Sequence, residues 1–236
     1  MQQSMRDNHT VTRSRRNSKW ARIFRRLPRL LILLVLQICL LQNAAAASEK
    51  ANVNQDMVFL LDTSSSMRNI FEEVRNAILE YAEKAQQGDT IVLITFGEKI
   101  HLKFRQKIES NLDVERIERE LAILEPDQFH TYITGALNKG MEELRLLEKR
   151  EPGRLRTLIL LSDGKNNPPP SVADPIEFAD LLKRYPALLQ GENSAFFYLS
   201  LGDNPDPDVV DWMETAKGTS FNLGKELTDK SDKQHQ

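Results

Sequence analysis

The stretch Met57-Val58-Phe59-Leu60-Leu61-Asp62-Thr63-Ser64-Ser65-Ser66-Met67 decides how this chain is read. Met57 to Leu61 is an unbroken apolar run, the pattern of a strand buried on both faces. It ends on Asp62, and hydroxyls follow at alternate positions, Ser64 and Ser66. A carboxylate and two hydroxyls at i, i+2 and i+4 past a buried strand can turn their oxygens toward one point, and hard cations such as Mg²⁺ take oxygen ligands. The same residues also suit a Ser-rich turn into a helix N-cap. The rest of the chain has to decide between the two.

Three more apolar runs follow: Thr90 to Phe96, Thr157 to Leu161 and Ala195 to Leu201. Between them lie segments with the helical period. Ile70, Phe71, Val74, Ile78 and Tyr81 mark a helix over Arg68 to Gln87, which Gly88-Asp89 stops. Asn111 caps a helix carrying Val114, Ile117, Leu121 and Leu124, ended by Pro126. Thr131 opens another with Ile133, Leu137, Leu144 and Leu147, broken at Glu151-Pro152-Gly153. Asp174-Pro175 starts a helix reaching Arg184, and Asp206-Pro207 starts one closed by Gly218. Ser220 to Leu223 reads as a short last strand. Ile100, Leu102 and Phe104 alternate with Lys99, His101, Lys103 and Arg105, which predicts an edge strand with one wet face. This order predicts an α/β fold: a doubly wound, mostly parallel sheet with one antiparallel edge strand and helices on both faces. Ligands of such sheets bind beyond the carboxyl ends of strands where strand order reverses. Asp62 and Asp163 both follow buried strands at those ends.

The N-terminal part reads differently. Residues 1–29 carry nine basic residues and one acid, Leu30 to Leu41 is apolar apart from Gln37, and Ala44 to Ala47 follow. Basic region, short apolar core and small-residue site in this order are the parts of a secretory signal peptide. Residues 1–47 are therefore expected to be a signal cleaved near Ala46 or Ala47, which makes the remainder extracytoplasmic, periplasmic or secreted. The alternative is a single-pass anchor formed by residues 30–47, since a membrane span needs about 20 residues. Residues 48–53 read as a linker, 54–224 as the domain and 225–236 as a charged, disordered tail. The whole chain has 32 basic and 34 acidic residues; without residues 1–47 these fall to 23 and 33, a net charge of −10. An acidic domain argues against nucleic acid as a partner, because phosphate binding needs a basic face. The single cysteine, Cys39, lies in the apolar run, so the domain has neither a disulfide framework nor a cysteine nucleophile.

With these residues in view, the chain resembles a von Willebrand factor type A domain over roughly Asn54 to Leu223. The family's metal-ion-dependent adhesion site combines D-x-S-x-S after the first strand, a threonine before a central helix and an aspartate after the fourth strand. Asp62-Thr63-Ser64-Ser65-Ser66, Thr131 and Asp163 match these in order. Small glycines usually precede the threonine; here Phe129-His130 do. Met67, Arg68 and Asn69 supply no carboxylates for the extra calcium sites of integrin-type members. The resemblance implies Rossmann-like topology and a Mg²⁺ site, with Mn²⁺ or Ca²⁺ as alternatives. Ser64 and Ser66 would bind directly, Asp62 and Asp163 directly or through water, and Thr131 in either way. It also implies a non-enzymatic module that holds a protein partner through that partner's Asp or Glu.

Two other functions compete. A Mg²⁺-dependent phosphatase or phosphotransferase on a related sheet would need a second catalytic carboxylate or a phosphate-holding lysine; position 64 is serine where dehalogenase-like phosphatases want aspartate, and Lys165 has no evident partner residue. A structural module of a membrane complex would not need all five coordinating positions. No G-x-S-x-G, Walker A or G-x-G-x-x-G run is present. His130, beside Thr131, reads as a surface-loop residue, and Trp212 as core. The loop Lys165 to Ala173, stiffened by Pro168 to Pro170, is expected to rim the site and set partner choice, with Asn166 and Asn167 offering amides to the partner.

Overall fold

A computed structural model describes residues 54–224; the expected signal or anchor, the linker and the C-terminal tail lie outside them. The apolar runs become strands β1 (Gln55–Asp62), β2 (Thr90–Phe96), β4 (Leu155–Ser162) and β5 (Ser194–Ser200), joined by β3 (Ile100–Lys107) and β6 (Thr219–Asn222). They form a six-stranded sheet in the order β3-β2-β1-β4-β5-β6, parallel except for the β2–β3 pair. Strand order reverses between β1 and β4, so the crevice between their carboxyl ends is the place this topology provides for a ligand. The expected fold class is the observed one.

Among the described residues the α-helices are α1 (Phe71–Lys84), α2 (Asn111–Ala122), α3 (Ile133–Arg150), α4 (Phe178–Arg184), α5 (Pro186–Gln190) and α6 (Pro207–Thr215). Alternation along each strand divides the core into two layers. Met57, Phe59, Leu61, Ile91 and Leu93 face α1 and α2, meeting Val74, Ile78, Ile117 and Leu121. Val58, Leu60, Val92 and Ile94 face α3 to α6, meeting Leu137, Met141, Leu181 and Trp212. Burial of strand residues on both faces is why their runs are continuous rather than alternating.

Several local expectations change. The helix expected over Arg68 to Gln87 is shorter, Phe71–Lys84. Ser65–Asn69 is a 3₁₀ turn, closed by Met67 N–H donating to Ser64 O and Ile70 N–H to Met67 O, and α1 starts only at Phe71. This tighter turn seats Met67 in the core while Ser66 stays exposed. The cap of α2 is Ser110, not Asn111, because Asp113 Oδ2 accepts from the backbone N–H of Glu109 and Ser110. Thr131 precedes α3 by two residues rather than opening it, its backbone being engaged in a bridge to Asn167. Asp174-Pro175 does not start α4, since the Ile176 N–H donates to Tyr132 Oη and Glu177 takes the cap position.

The edge strand departs most. Leu93 pairs with Phe104 but Ile94 with Leu102, so Lys103 is an extra, bulged residue. The bulge switches faces: Phe104 packs on the α1–α2 layer and Ile100 on the other. The single wet face expected from strict alternation is therefore absent, and Leu102 is left 38% exposed.

Candidate metal centre

The loops beyond β1 and β4 bring the five sequence-selected residues together from three parts of the chain. Asp62, at the end of β1, is fully buried. Its Oδ1 accepts the Ser64 N–H at 2.8 Å and its Oδ2 accepts the Ser162 hydroxyl at 2.5 Å. Both oxygens are thus aimed, one into the following turn and one across to β4. Ser64 Oγ and Ser66 Oγ are 3.0 Å apart, and Ser66 Oγ donates to Asp163 Oδ1 at 2.8 Å. Thr131 joins them through its neighbours. Its N–H donates to Asn167 O and its O accepts from Asn167 N–H. A side-chain carbon at Gly164 would stand 3.4 Å from Thr131 Oγ1, so that hydroxyl lies against the turn carrying Asp163.

Burial sets the electrostatics. It pushes the Asp62 carboxyl up from 3.8 to about 6, the nearby Asp163 charge adding to the rise and the hydrogen bonds from Ser162 and Ser64 opposing it. Asp163 is also raised by burial, against the Ser66 hydroxyl. A buried and a half-buried carboxylate, bonded to no cationic side chain among the described residues, disfavour their own charged forms. A divalent cation would reverse that balance.

The donor set fits Mg²⁺ in its chemistry, and the spacing of three of its oxygens is compatible with that ion. Octahedral Mg²⁺–oxygen distances of about 2.1 Å place neighbouring ligand oxygens about 3.0 Å apart. The Ser64–Ser66 and Ser66–Asp163 separations, 3.0 and 2.8 Å, are of that size. Among the described residues no three His, Cys, Asp or Glu side chains gather as a metal cluster. A site here would rest on two carboxylates and three hydroxyls, a hard-oxygen set.

Residues that the sequence reading passed over hold these groups in place. Ser162 orients Asp62; the trace available was a serine closing an apolar strand. Gln128 pins the Ser64 turn: Ser65 N–H donates to its carbonyl, its N–H to Thr63 O, and its Nε2 to Thr63 Oγ1. Asn166 does not face outward as expected. Its Oδ1 accepts from Thr134 N–H at the start of α3, and its own N–H donates to Asp206 Oδ2 at 2.7 Å. Asp206 also caps α6 by accepting from Asp208 N–H. One buried carboxylate therefore ties the loop after β4 to α6. Gly202 completes the packing, since a Cβ there would lie 2.2 Å from the Asp163 carbonyl oxygen. Asn167 contributes mainly its backbone, with its side-chain amide 3.5 Å from His130 Nδ1. His130 remains a loop residue, and Trp212 is core, 2% exposed.

Comparisons with known proteins agree with this architecture. The family model described as "von Willebrand factor type A domain" matches residues 57–165, a span holding all five residues above. A curated relative, inter-alpha-trypsin inhibitor heavy chain H1 of Homo sapiens, is 27% identical over 176 residues. That match takes in 71% of this chain but only 18% of the relative's length. Among solved structures, a von Willebrand factor type A protein from Catenulispora acidiphila superposes with a TM-score of 0.56 at 15% identity, over 76% of this chain and 42% of that one. The conserved hypothetical protein BatB from Bacteroides thetaiotaomicron gives 0.51 at 15% identity, over 76% and 96%. The chain has the fold of von Willebrand factor type A domains, and the family model matches the part of it that holds the candidate metal centre.

Proposed function

We propose that this chain is an exported interaction module that holds a protein partner through a Mg²⁺ ion shared with an acidic side chain of that partner. The observation that carries the reading is the linked run of oxygens Ser64 Oγ, Ser66 Oγ and Asp163 Oδ1, spaced as neighbouring Mg²⁺ ligands are. Bound there, the ion would supply positive charge and a coordination position open to an outside carboxylate. Ser64, Ser66 and Thr131 would give neutral oxygens. Asp62, turned inward by Ser162 and Ser64, and Asp163 would give the only negative charge. Because most of the donors are neutral hydroxyls, the site would keep an appetite for an outside anion. Ser66, on the exposed turn, is the side from which the partner would arrive. In this reading the site serves binding rather than catalysis.

Export rests on the order of segments in residues 1–47; among the described residues no helix is long and apolar enough to cross a membrane. Affinity capture on the full chain tests the function. A partner should be retained in Mg²⁺ and released by EDTA, and neither Ser66→Ala nor Asp163→Ala chains should retain it. Equal retention in EDTA would refute the reading.

A further inference from the structure

Phe129 is 83% exposed, more than any other large apolar side chain among the described residues. Isolated exposed apolar residues are ordinary, but the position of this one is not left to chance. Phe129-His130 is a two-residue tip between two backbone bridges. Before it, Gln128 pairs with the Ser64 turn, with N···O distances of 2.8 and 3.1 Å. After it, Thr131 pairs with Asn167 at 3.2 and 2.8 Å. The Gln128 side chain adds a bond to Thr63 Oγ1 and accepts the Lys99 N–H at 2.9 Å. Both strands of the tip are thus tied to the two loops that carry Ser64 and Asp163. Phe129 is thus held in the chain between a residue bridged to the Ser64 turn and a residue bridged to Asn167, four positions past Asp163.

We infer that Phe129 is an apolar anchor at the rim of the metal centre, and that the partner it fits is an acidic protein segment with an apolar side chain next to its metal-binding carboxylate. The inference rests on the proposed function and narrows its partner. Aromatic side chains are enriched in the buried core of interfaces. An anchor whose backbone is already fixed loses little freedom when a partner covers it. Phenylalanine has no polar tip to satisfy, so the matching group is aliphatic or aromatic. A carboxylate on the ion and an apolar neighbour on the ring would be read together, because Phe129 is two residues from Thr131 and adjacent to the residue paired with the Ser64 turn.

Selection of displayed random peptides on the immobilised full chain in Mg²⁺, with elution by EDTA, tests this. The wild type should yield peptides carrying Asp or Glu with a large apolar residue within two positions. Phe129→Ser, a change at an exposed tip, should yield acidic peptides without the apolar preference. It should weaken a wild-type-selected peptide by about tenfold or more while leaving Mg²⁺ affinity, read by calorimetry, unchanged. Acidic, EDTA-eluted peptides with no apolar preference, or with the same preference on both chains, would overturn the anchor and leave the proposed function standing. No EDTA-eluted peptides at all would overturn both.

Discussion

Replacing Asp62 by Asn should make the metal-free protein more stable at neutral pH, although it removes a group proposed to serve the metal. Asp62 is wholly buried, and its carboxyl is raised from 3.8 to about 6. A group with a raised folded-state value keeps its proton in the native state to higher pH than in the unfolded chain. Stability therefore falls as pH rises from about 4 to about 6, and the ionised form opposes folding fully above that. At 1.36 kcal/mol per pKa unit, the rise corresponds to an opposing contribution of up to ~3 kcal/mol. Asn keeps the size and both bonds: its Oδ1 accepts the Ser64 N–H, and its amide donates to the Ser162 hydroxyl. In EDTA at pH 7.5, Asp62→Asn should be the more stable chain by up to ~3 kcal/mol, or ~6–12 °C in Tm for a domain of this size. Near pH 4 the two should converge. Urea unfolding followed by circular dichroism at both pH values measures this, and saturating Mg²⁺ should stabilise the wild type but not the variant. A variant less stable than wild type at pH 7.5, or a difference independent of pH, would refute the electrostatic account of the site.

Other substitutions probe the scaffold around it. Asp206→Ala leaves the N–H groups of Asn166 and Asp208 without their acceptor and should cost about 2–3 kcal/mol in urea unfolding, with weaker Mg²⁺ binding in calorimetry. Gly202→Ala places a carbon against the Asp163 carbonyl; Mg²⁺ affinity should fall at least tenfold, roughly 1.4 kcal/mol, even if the chain folds. At the opposite end of the sheet, Arg154 pairs with buried Asp56 and donates to Gln55 O and Gly88 O. Arg154→Ala leaves Asp56 with only the more distant Arg156 at 3.7 Å and should lower stability by about 1.5–3 kcal/mol, without changing the Mg²⁺ affinity of whatever fraction remains folded.

The sheet was legible because its signals are local. Four largely apolar runs, closed by Asp62, Gly97, Ser162 and Gly202, reveal buried parallel strands without reference to anything distant. The same local signals place Asp62 and Asp163 at strand ends, whereas the grouping of Ser64, Ser66 and Thr131 with them came from the family resemblance. What escaped was set by contacts between segments far apart in sequence. Lys103 looks like one more residue in an alternating strand until the β2 register makes it a bulge. Asn166 looks like a free loop amide until Thr134 and Asp206 claim it. Ser162 looks like a strand terminus until Asp62 approaches from β1, 100 residues away. Phe129 was visible as a departure from small residues before Thr131, but its exposure is seen only in the structure.

The central claim is that the clustered oxygens form a Mg²⁺ site, and isothermal titration calorimetry of the full chain with Mg²⁺ at pH 7.5 tests it most directly. The wild type should bind one Mg²⁺ per chain, while Asp163→Ala, shown by circular dichroism to be folded, should give no binding heat. A wild type that does not bind, or an Asp163→Ala chain that binds as the wild type does, would contradict the account.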